Sequence, residues 1–181
     1  MRQAVVKAST TTTIEPAGPA WKEVEPFFRS IWPPDASPAP PWAHIISEPP
    51  QRRVMVRNES GELIAHVGIQ VRAGLWDRRR VRIGGIGGVA TRAGERRKGL
   101  ASHALDVALK QLDAQGINFA LLFAEPCNFA FYERRDWHRF EGDVFIDQPQ
   151  GRIKHNVVAA FVRDGLLAPH EGVIDLLGKP W

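Results

Sequence analysis

The sequence contains one cysteine, Cys127, so no disulfide can form within the chain. A cysteine-based metal site is not expected either. The chain also lacks an apolar run of about 18 residues, and its N-terminus leads into no apolar segment of roughly 7–15 residues. We therefore expect neither a membrane-spanning helix nor a signal peptide, and we predict a cytoplasmic protein without a membrane partner.

Several motifs that would indicate particular functions are also absent. The sequence has no metal-ligand spacing, no Ser-His-Asp arrangement and no Walker motif, and Gly85-Ile86-Gly87 lacks the third glycine of a dinucleotide fingerprint. The net charge of +4 and the pI near 9.6 fit an anionic ligand such as a nucleotide. Most aromatic residues occur in apolar periodic runs rather than among basic residues, so we expect no nucleic-acid partner.

The composition is that of a globular protein, with 44% hydrophobic and 24% charged residues. The sequence has no internal repeat and no change of composition along the chain. A length of 181 residues predicts one domain over 1–181. The pattern of elements predicts an α+β fold in which an antiparallel meander of strands leads into a βαβ unit. The sequence does not distinguish a monomer from a homodimer.

The expected elements follow from hydrophobic periodicity and turn residues. Helices are expected at Pro19–Trp32 and Pro126–Arg134, besides one that begins near Ala101. Strands are expected at Ala4–Ala8, Arg52–Arg57, Leu63–Val71, Val81–Ala90, Asn118–Ala124, Trp137–Phe140, Val144–Ile146 and Asn156–Val162. Because a helix separates the fourth strand from the apolar fifth strand, we predict a right-handed crossover and parallel pairing of these two.

The segment Gly84–Ala101 combines a glycine-rich strand, a basic turn and a helix start. Apolar residues then recur every three or four positions, as on one face of a helix. The first turn of a helix has free N–H groups and the positive end of the helix dipole, and Arg96, Arg97 and Lys98 add full positive charges there. Two interpretations remain open at this point, namely a phosphate site and a solvated basic turn.

The segment Pro33–Pro50 holds seven prolines around Trp42 and His44. It is too apolar for a disordered linker, so we predict an irregular, rigid loop in which Trp42–Ile46 could form a short helix. A loop of this length can serve as a lid over a site, or it can only cap the core. Both interpretations remain open.

The basic turn and the helix start resemble a motif of the GNAT N-acetyltransferases. The run Arg-Arg-Lys-Gly-Leu-Ala at Arg96–Ala101 matches their pyrophosphate motif, Arg/Gln-x-x-Gly-x-Gly/Ala. Asn128–Trp137 is similar to a later segment of that family, which carries a tyrosine, here Tyr132. The resemblance extends over Arg52–Val162 and implies the GNAT fold, a mixed and mostly antiparallel sheet with a central βαβ unit that binds acyl-CoA.

Within the superfamily, a nearer resemblance is to the aminoglycoside 2′-N-acetyltransferases. It rests on the run Arg82–Arg97 with its glycines, and on a chain that ends with Trp181. Two positions depart from that family, because Gly87 stands where it has a glutamate and Lys179 where it has an aspartate. Both acids are thought to serve a polycationic acceptor, so their absence argues against an aminoglycoside substrate.

The resemblance implies acetyl-CoA, or another short acyl-CoA, as the donor, and a small-molecule amine as the acceptor. Its donor-binding positions are Val89, Ala90, Thr91, Arg96, Arg97, Lys98, Gly99, Leu100, Ala101, Ser102 and Asn128. The strand positions would pair with pantetheine, the positions from Arg96 to Ser102 would hold the pyrophosphate, and Asn128 would hold the pantetheine arm or a water. The acceptor-binding positions are Trp42, His66, Phe123 and Trp181.

Acyl transfer to an amine requires three events: the ammonium loses a proton, the thioester oxygen is stabilised, and the departing thiolate is protonated. Tyr132 is the only tyrosine, and the resemblance makes it the candidate general acid for the thiolate. Its alternative is a tyrosine that only packs the core. A backbone N–H near Val89 or Ala90 is the candidate oxyanion donor.

The general base is open, because Gly87 occupies the usual acidic position. Glu125 is our first candidate, since it follows an apolar strand where burial would raise the pKa of its carboxyl group. The alternatives are His66, His44, the Trp181 carboxylate and a chain of waters. A second hypothesis is a GNAT-fold protein that binds acyl-CoA without catalysis.

Overall fold

The computed structural model describes residues 9–164, 167 and 169–181, so the predicted strand Ala4–Ala8 lies outside the described residues. The strands are β1 Thr11–Pro16, β2 Arg52–Arg57, β3 Leu63–Trp76, β4 Arg79–Thr91, β5 Phe119–Ala124, β6 Trp137–Arg139, β7 Asp143–Gln148, β8 Gly151–Lys154, β9 Ala159–Asp164 and β10 Val173–Asp175. The helices are α1 Ala17–Ile31, α2 Leu100–Asp113 and α3 Phe129–Glu133. Single 3₁₀ turns precede α2 at Ala93–Glu95 and α3 at Pro126–Asn128.

The ten strands form one sheet in the order β6-β9-β5-β4-β3-β10-β7-β8, with β1 and β2 added beside the first half of β3. Strand β3 is long enough to pair with β4 along its length, with β2 near its start and with β10 at its end. Among the strand pairs of the described residues, only β4–β5 and β7–β10 are parallel. The predicted α+β class and the mixed, mostly antiparallel sheet are therefore confirmed.

The two longer helices pack on opposite faces of this sheet. Helix α2 buries an apolar stripe on the side chains of β2, β3 and β4, and Leu105 and Leu112 at its centre are fully buried. Helix α1 buries Val24 and Phe27 against Met55 on the other face. The order β4, α2, β5 with parallel strands is the predicted βαβ unit. Each helix is thus stabilised mainly by burial of its apolar face.

Strand β4 contains a β-bulge at Gly88. In the pairing with β3, His66 lies opposite Ala90 and Gly68 lies opposite Gly87, so β4 carries one extra residue between these pairs. Gly88 has a φ of +56°, a left-handed conformation that glycine adopts without a Cβ penalty. The ladder between β4 and β5 ends at Ile86, before the bulge. Among the described residues, the two strands continue without pairing to each other, which leaves a split in the sheet.

Several local predictions require correction. The loop Pro33–Pro50 forms turns and no helix at Trp42–Ile46. Strand β3 continues five residues further than predicted, because Asp77 and Arg78 both adopt positive φ and make a tight two-residue turn into β4. Strand β9 begins at Ala159 rather than Asn156. Strands β8 and β10 were not predicted, because segments this short form strands only through their neighbours.

Candidate functional site

The turn before α2 presents a row of free backbone N–H groups. Arg97 and Gly99 adopt left-handed conformations with φ of +64° and +81°. The first hydrogen bond of the helix runs from His103 N–H to Gly99 O, at 3.0 Å. Within the described part of the chain, the N–H groups of residues 97–102 have no hydrogen-bond partner. Such alternating conformations aim successive N–H groups at one point, which suits an anion.

The basic side chains of this turn differ in their partners. Arg96 donates from Nε to the Thr91 carbonyl at 3.3 Å, and Lys98 pairs with Glu95 at 2.9 Å. All three basic side chains of the turn are exposed. They raise the local positive potential around the N–H groups. Ser102 lies in the first turn of α2 and is half-buried.

The end of β4 lies between the bulge and this turn. Val89 is half-buried toward the α2 side, and Ala90 is buried toward the α1 side. The Thr91 hydroxyl is buried and has no partner among the described residues. Since β5 no longer pairs with this part of β4, its edge is open to an extended ligand.

Tyr132 lies on α3, which follows β5. Its ring is 6.2 Å from both the Trp137 and the Phe161 ring centroids, and only 6% of its surface is exposed. Burial raises the pKa of the Tyr132 phenol far above its usual range, so the group keeps its proton at neutral pH. Asn128 is exposed at the end of the preceding 3₁₀ turn, and its N–H donates to the Glu125 carbonyl.

A chain of aromatic contacts crosses the split on the α1 side. The ring of Phe28 lies 4.8 Å from His66 and 5.2 Å from Trp32, and Trp32 lies 5.9 Å from Trp42. Trp42 then donates from Nε1 to Glu125 Oε1 at 2.8 Å. We call Phe28, Trp32 and Trp42 the aromatic arch. It begins at the bulge of β4 and ends just past β5.

Phe28 and Trp32 were not among the predicted site residues. Their helical spacing on α1 predicts only an apolar face, and nothing local shows that this face reaches the split. Trp42 was predicted at the acceptor side. Its hydrogen bond fixes the proline-rich loop against the end of β5.

His66 is buried and held at both ring nitrogens. Its Nδ1 is 2.7 Å from the Gly88 carbonyl, and its Nε2 is 3.0 Å from Arg53 Nη1. Because arginine can only donate, Nε2 accepts and Nδ1–H donates, which defines the neutral tautomer. Burial lowers the pKa of His66 to about 3, and the nearby Arg53 charge adds to this shift. His66 therefore has no free lone pair for a proton, and it anchors the bulge instead.

Trp181 fills the space beside the glycines of β4. A Cβ at Gly85 would overlap the indole ring, and a Cβ at Gly87 would lie 2.9 Å from the Trp181 carbonyl oxygen. The Trp181 ring also lies 6.5 Å from Phe123, and the Arg72 guanidinium lies 5.5 Å from it. The small residues of β4 thus accommodate a tryptophan from the far end of the chain.

His155 is a buried histidine near the same face. Its ring lies 4.3 Å from the Phe123 ring, and neither ring nitrogen has a partner among the described residues. Burial lowers the pKa of His155 to about 4, and the neighbouring His44 adds to the shift. In the described part of the chain, no three His, Cys, Asp or Glu side chains come together as a metal site. None of the described helices has the length and hydrophobicity that a membrane crossing requires.

The open strand edge, the free N–H groups and the buried tyrosine together suit a nucleotide-linked acyl donor. A family profile described as "Acetyltransferase (GNAT) domain" matches residues 27–140. The chain belongs to the GNAT acetyltransferase family. The profile match covers the C-terminal end of α1, the β4–α2–β5 unit and α3, so the GNAT resemblance predicted from Arg96–Ala101 is confirmed.

Solved structures share the GNAT fold at low identity. A GNAT family N-acetyltransferase (YhbS) from Escherichia coli, in complex with CoA, aligns with a TM-score of 0.57 at 13% identity, over 97% of this chain and 93% of that one. A GNAT acetyltransferase from Staphylococcus aureus aligns with a TM-score of 0.57 at 14% identity, over 87% and 100%. One from Brucella melitensis, in complex with acetyl-CoA, aligns with 0.57 at 11% identity, over 92% and 95%.

Other similarities are partial. A GNAT structure from Kribbella flavida is 23% identical, with a TM-score of 0.44, and the chain spans only 21% of its length. No match was found among curated protein sequences. These comparisons do not show the nearer resemblance to aminoglycoside 2′-N-acetyltransferases, which stays a hypothesis.

Proposed function

We propose that the protein transfers an acetyl group from acetyl-CoA to the primary amine of a small molecule. The observation that carries the proposal is the split between β4 and β5, which opens at Gly88 beside the free N–H groups of residues 97–102. One end of this split suits a diphosphate and the other opens toward the aromatic arch. A donor bound along β4 would place its acyl group between the two ends.

The donor is held mainly by backbone groups in this proposal. The N–H groups that begin α2 bind the pyrophosphate, and Ser102 is near them in the first helical turn. The exposed edge of Val89–Thr91 pairs with the amides of pantetheine as an added strand would. Asn128, exposed between β5 and α3, contacts the pantetheine arm or a water.

The reaction forms a bond between the amine nitrogen and the acetyl carbon, and it breaks the bond between that carbon and the CoA sulfur. A backbone N–H at Val89 or Ala90 stabilises the negative charge on the carbonyl oxygen. Tyr132 gives its proton to the leaving thiolate. The phenol is protonated at neutral pH, and its partners in the core hold the ring in place.

Glu125 is the proposed group that binds the acceptor ammonium and takes its proton. It is half-buried at the end of β5, and its Oε1 already accepts from Trp42. Its second oxygen has no partner among the described residues. His66 is a weaker base, because Arg53 occupies its lone pair.

The acceptor would lie between Trp42, Phe123 and Trp181, on the arch side of the split. These rings are half-buried, and Trp181 occupies the volume in which an acidic side chain at Gly87 would stand. Lys179, two residues before Trp181 in the chain, is exposed and positively charged. A polycation is disfavoured by this arrangement, so we propose an acceptor with one ammonium group on a largely apolar body.

A second candidate function is an acyl-CoA-binding protein without catalysis. The absence of an acidic side chain at Gly87, whose space is filled by Trp181, favours this candidate. The Tyr132 hydroxyl favours the enzyme, because it has no hydrogen-bond partner among the described residues and its proton is therefore free for a thiolate.

Two measurements test the function. Thermal unfolding with acetyl-CoA, ATP and NAD should show stabilisation by acetyl-CoA; its absence would reject both functions. Thiol release from acetyl-CoA is then followed against a panel of monoamines, diamines, polyamines and aminoglycosides. Release with at least one amine supports the enzyme, whereas binding without release with any amine supports the alternative.

A further inference from the structure

Arg135 lies beyond α3 and reaches back to the start of α2. Its Nη1 donates to the Phe131 carbonyl at 3.0 Å, and its Nη2 donates to the Ser102 hydroxyl. The guanidinium carbon lies 4.1 Å from the centroid of the Phe131 ring. A carbonyl, a hydroxyl and a ring face thus fix the position of this cation.

All of these partners are neutral. Among the described residues, no carboxylate pairs with Arg135, whereas Lys98 in the turn before α2 has Glu95. Arg135 is also half-buried, so water screens its charge less than that of a fully exposed arginine. A half-buried cation without a counter-ion raises the local positive potential and favours an anion beside it.

The contact with Ser102 places this cation at the group of free N–H donors. Ser102 belongs to the first turn of α2, and its own N–H is one of the six without a partner. Two different elements therefore direct donors to one place: α2 with its N–H groups, and the segment after α3 with its guanidinium. A guanidinium has five N–H donors, and the two contacts use two of them.

We propose that Arg135, the Ser102 hydroxyl and the N–H groups of residues 97–102 form one phosphate-binding site, in which Arg135 contacts a phosphate group of the donor. The inference rests on the proposed function, since it takes a CoA thioester as the donor. Arg135 is held in place before the ligand binds, so little side-chain entropy remains to be lost. The phosphate can be either the diphosphate or the 3′-phosphate of CoA, which share this chemistry.

The test compares Arg135→Gln with Arg134→Gln, a neighbouring exposed arginine without a contact to Ser102. Calorimetry measures the dissociation constants of CoA and dephospho-CoA for the wild type and both variants. We expect Arg135→Gln to weaken CoA binding about tenfold or more, the size of one charge-assisted hydrogen bond, and Arg134→Gln to weaken it less than about twofold.

The salt dependence separates contact from structural damage. Loss of a phosphate contact reduces the slope of log Kd against log salt, whereas a general distortion lowers affinity without changing that slope. If Arg135→Gln weakens the binding of dephospho-CoA as much as that of CoA, the contact is to the diphosphate. If the variant does not weaken the binding of dephospho-CoA, the contact is to the 3′-phosphate. Arg135→Lys should recover part of the affinity, because it restores the charge but not the planar fork.

Some results would contradict the inference about Arg135, and one would contradict the proposed function. Equal effects of Arg135→Gln and Arg134→Gln, or an unchanged salt slope, would overturn the inference. If Arg135→Gln fails to fold, Ser102→Ala takes its place, with a loss of affinity for CoA of about twofold or more expected and no loss contradicting the site. Wild-type protein that binds neither CoA nor acetyl-CoA would instead reject the proposed function itself.

Discussion

The Trp42 indole nitrogen donates a hydrogen bond to Glu125 across 2.8 Å, and this bond joins the proline-rich loop to the end of β5. It closes the aromatic arch over the split in the sheet. The loop is held at two further points, because Gln148 bonds both backbone groups of Ile46 and Glu48 N–H donates to the Pro180 carbonyl. Of the two interpretations of this loop, the contact with Glu125 favours a role at the site.

Replacing Glu125 with glutamine tests its proposed role toward the amine. The amide keeps an acceptor for Trp42 but removes the charge, so we expect thiol release with an amine acceptor to fall about 10²–10⁴-fold. Affinity for acetyl-CoA should stay within a factor of two or so, because Glu125 is not one of the proposed donor-binding residues. Steady-state thiol release and calorimetry provide the two readouts.

The control for Glu125 is Glu133→Gln on α3, an exposed acid of the same size. It should leave both readouts unchanged. Should Glu125→Gln retain the wild-type rate at every pH tested, the carboxylate has no part in proton transfer. The hypothesis of a water chain would then replace it.

Tyr132→Phe tests the general acid. The substitution keeps the ring between Trp137 and Phe161, so the midpoint of thermal unfolding should change little. We expect kcat to fall about 10²–10⁴-fold, because the thiolate then leaves without a proton donor. Because burial raises the pKa of the phenol, the wild-type rate should show no loss from ionisation of Tyr132 below about pH 10. A Phe variant with the wild-type kcat would leave Tyr132 as a packing residue.

Local sequence patterns were sufficient for the βαβ unit. The period of α2, the apolar β5 and the glycines at the turn act over a few residues each, and the structure follows them from Gly84 to Ala124. The free N–H groups of the turn are also a local consequence, because Gly99 and Arg97 set the backbone there.

Contacts between distant segments were not predictable in the same way. Phe28 lies on α1 and Trp32 is its C-cap, and both follow the helical period. A helix face that packs in the core has the same period as one that lines a site. Gly85 and Gly87 leave space beside β4, but the tryptophan that occupies this space is distant in sequence. Strand β10 has three residues, and only its neighbours β3 and β7 make it a strand.

His66 should make stability depend on acid pH. Its pKa is about 3 in the folded protein, below the ordinary value of about 6.5, so the folded state favours the neutral ring. This contribution is fully present above about pH 6.5 and is lost as the pH falls from there toward 3. Each pH unit in that window costs up to about 1.4 kcal/mol for this group.

The variant His66→Gln removes that titration while keeping both partners, because an amide can accept from Arg53 and donate to Gly88. Urea unfolding at several pH values between 4.5 and 7.5, roughly the upper part of the window, should show a shallower slope than in the wild type. His155, whose pKa is also lowered, to about 4, keeps its own share of the slope in both proteins. An identical slope in the variant would mean that His66 is not buried as a neutral group.

Gly85→Ala tests whether the glycines of β4 are present for Trp181. A Cβ at position 85 overlaps the indole ring, and a shift of the ring away from β4 would alter its packing against Phe123. We expect Gly85→Ala to reduce the free energy of unfolding by about 1–3 kcal/mol, as overpacking does. The matched control is Gly94→Ala, where no heavy atom lies within 4 Å of the added Cβ, and it should stay within about 0.5 kcal/mol of the wild type.

The double variant Gly85→Ala, Trp181→Ala separates this contact from an intrinsic strand effect. If the clash with the indole is the cause, alanine at position 85 should cost little once the ring is gone, and the two single changes will not add. The coupling free energy measured by urea unfolding should be of order 1 kcal/mol or more. Its sign should show that the double variant is more stable than the sum of the two single effects predicts. Strict additivity would show that glycine at position 85 serves the backbone of β4 and not its neighbour.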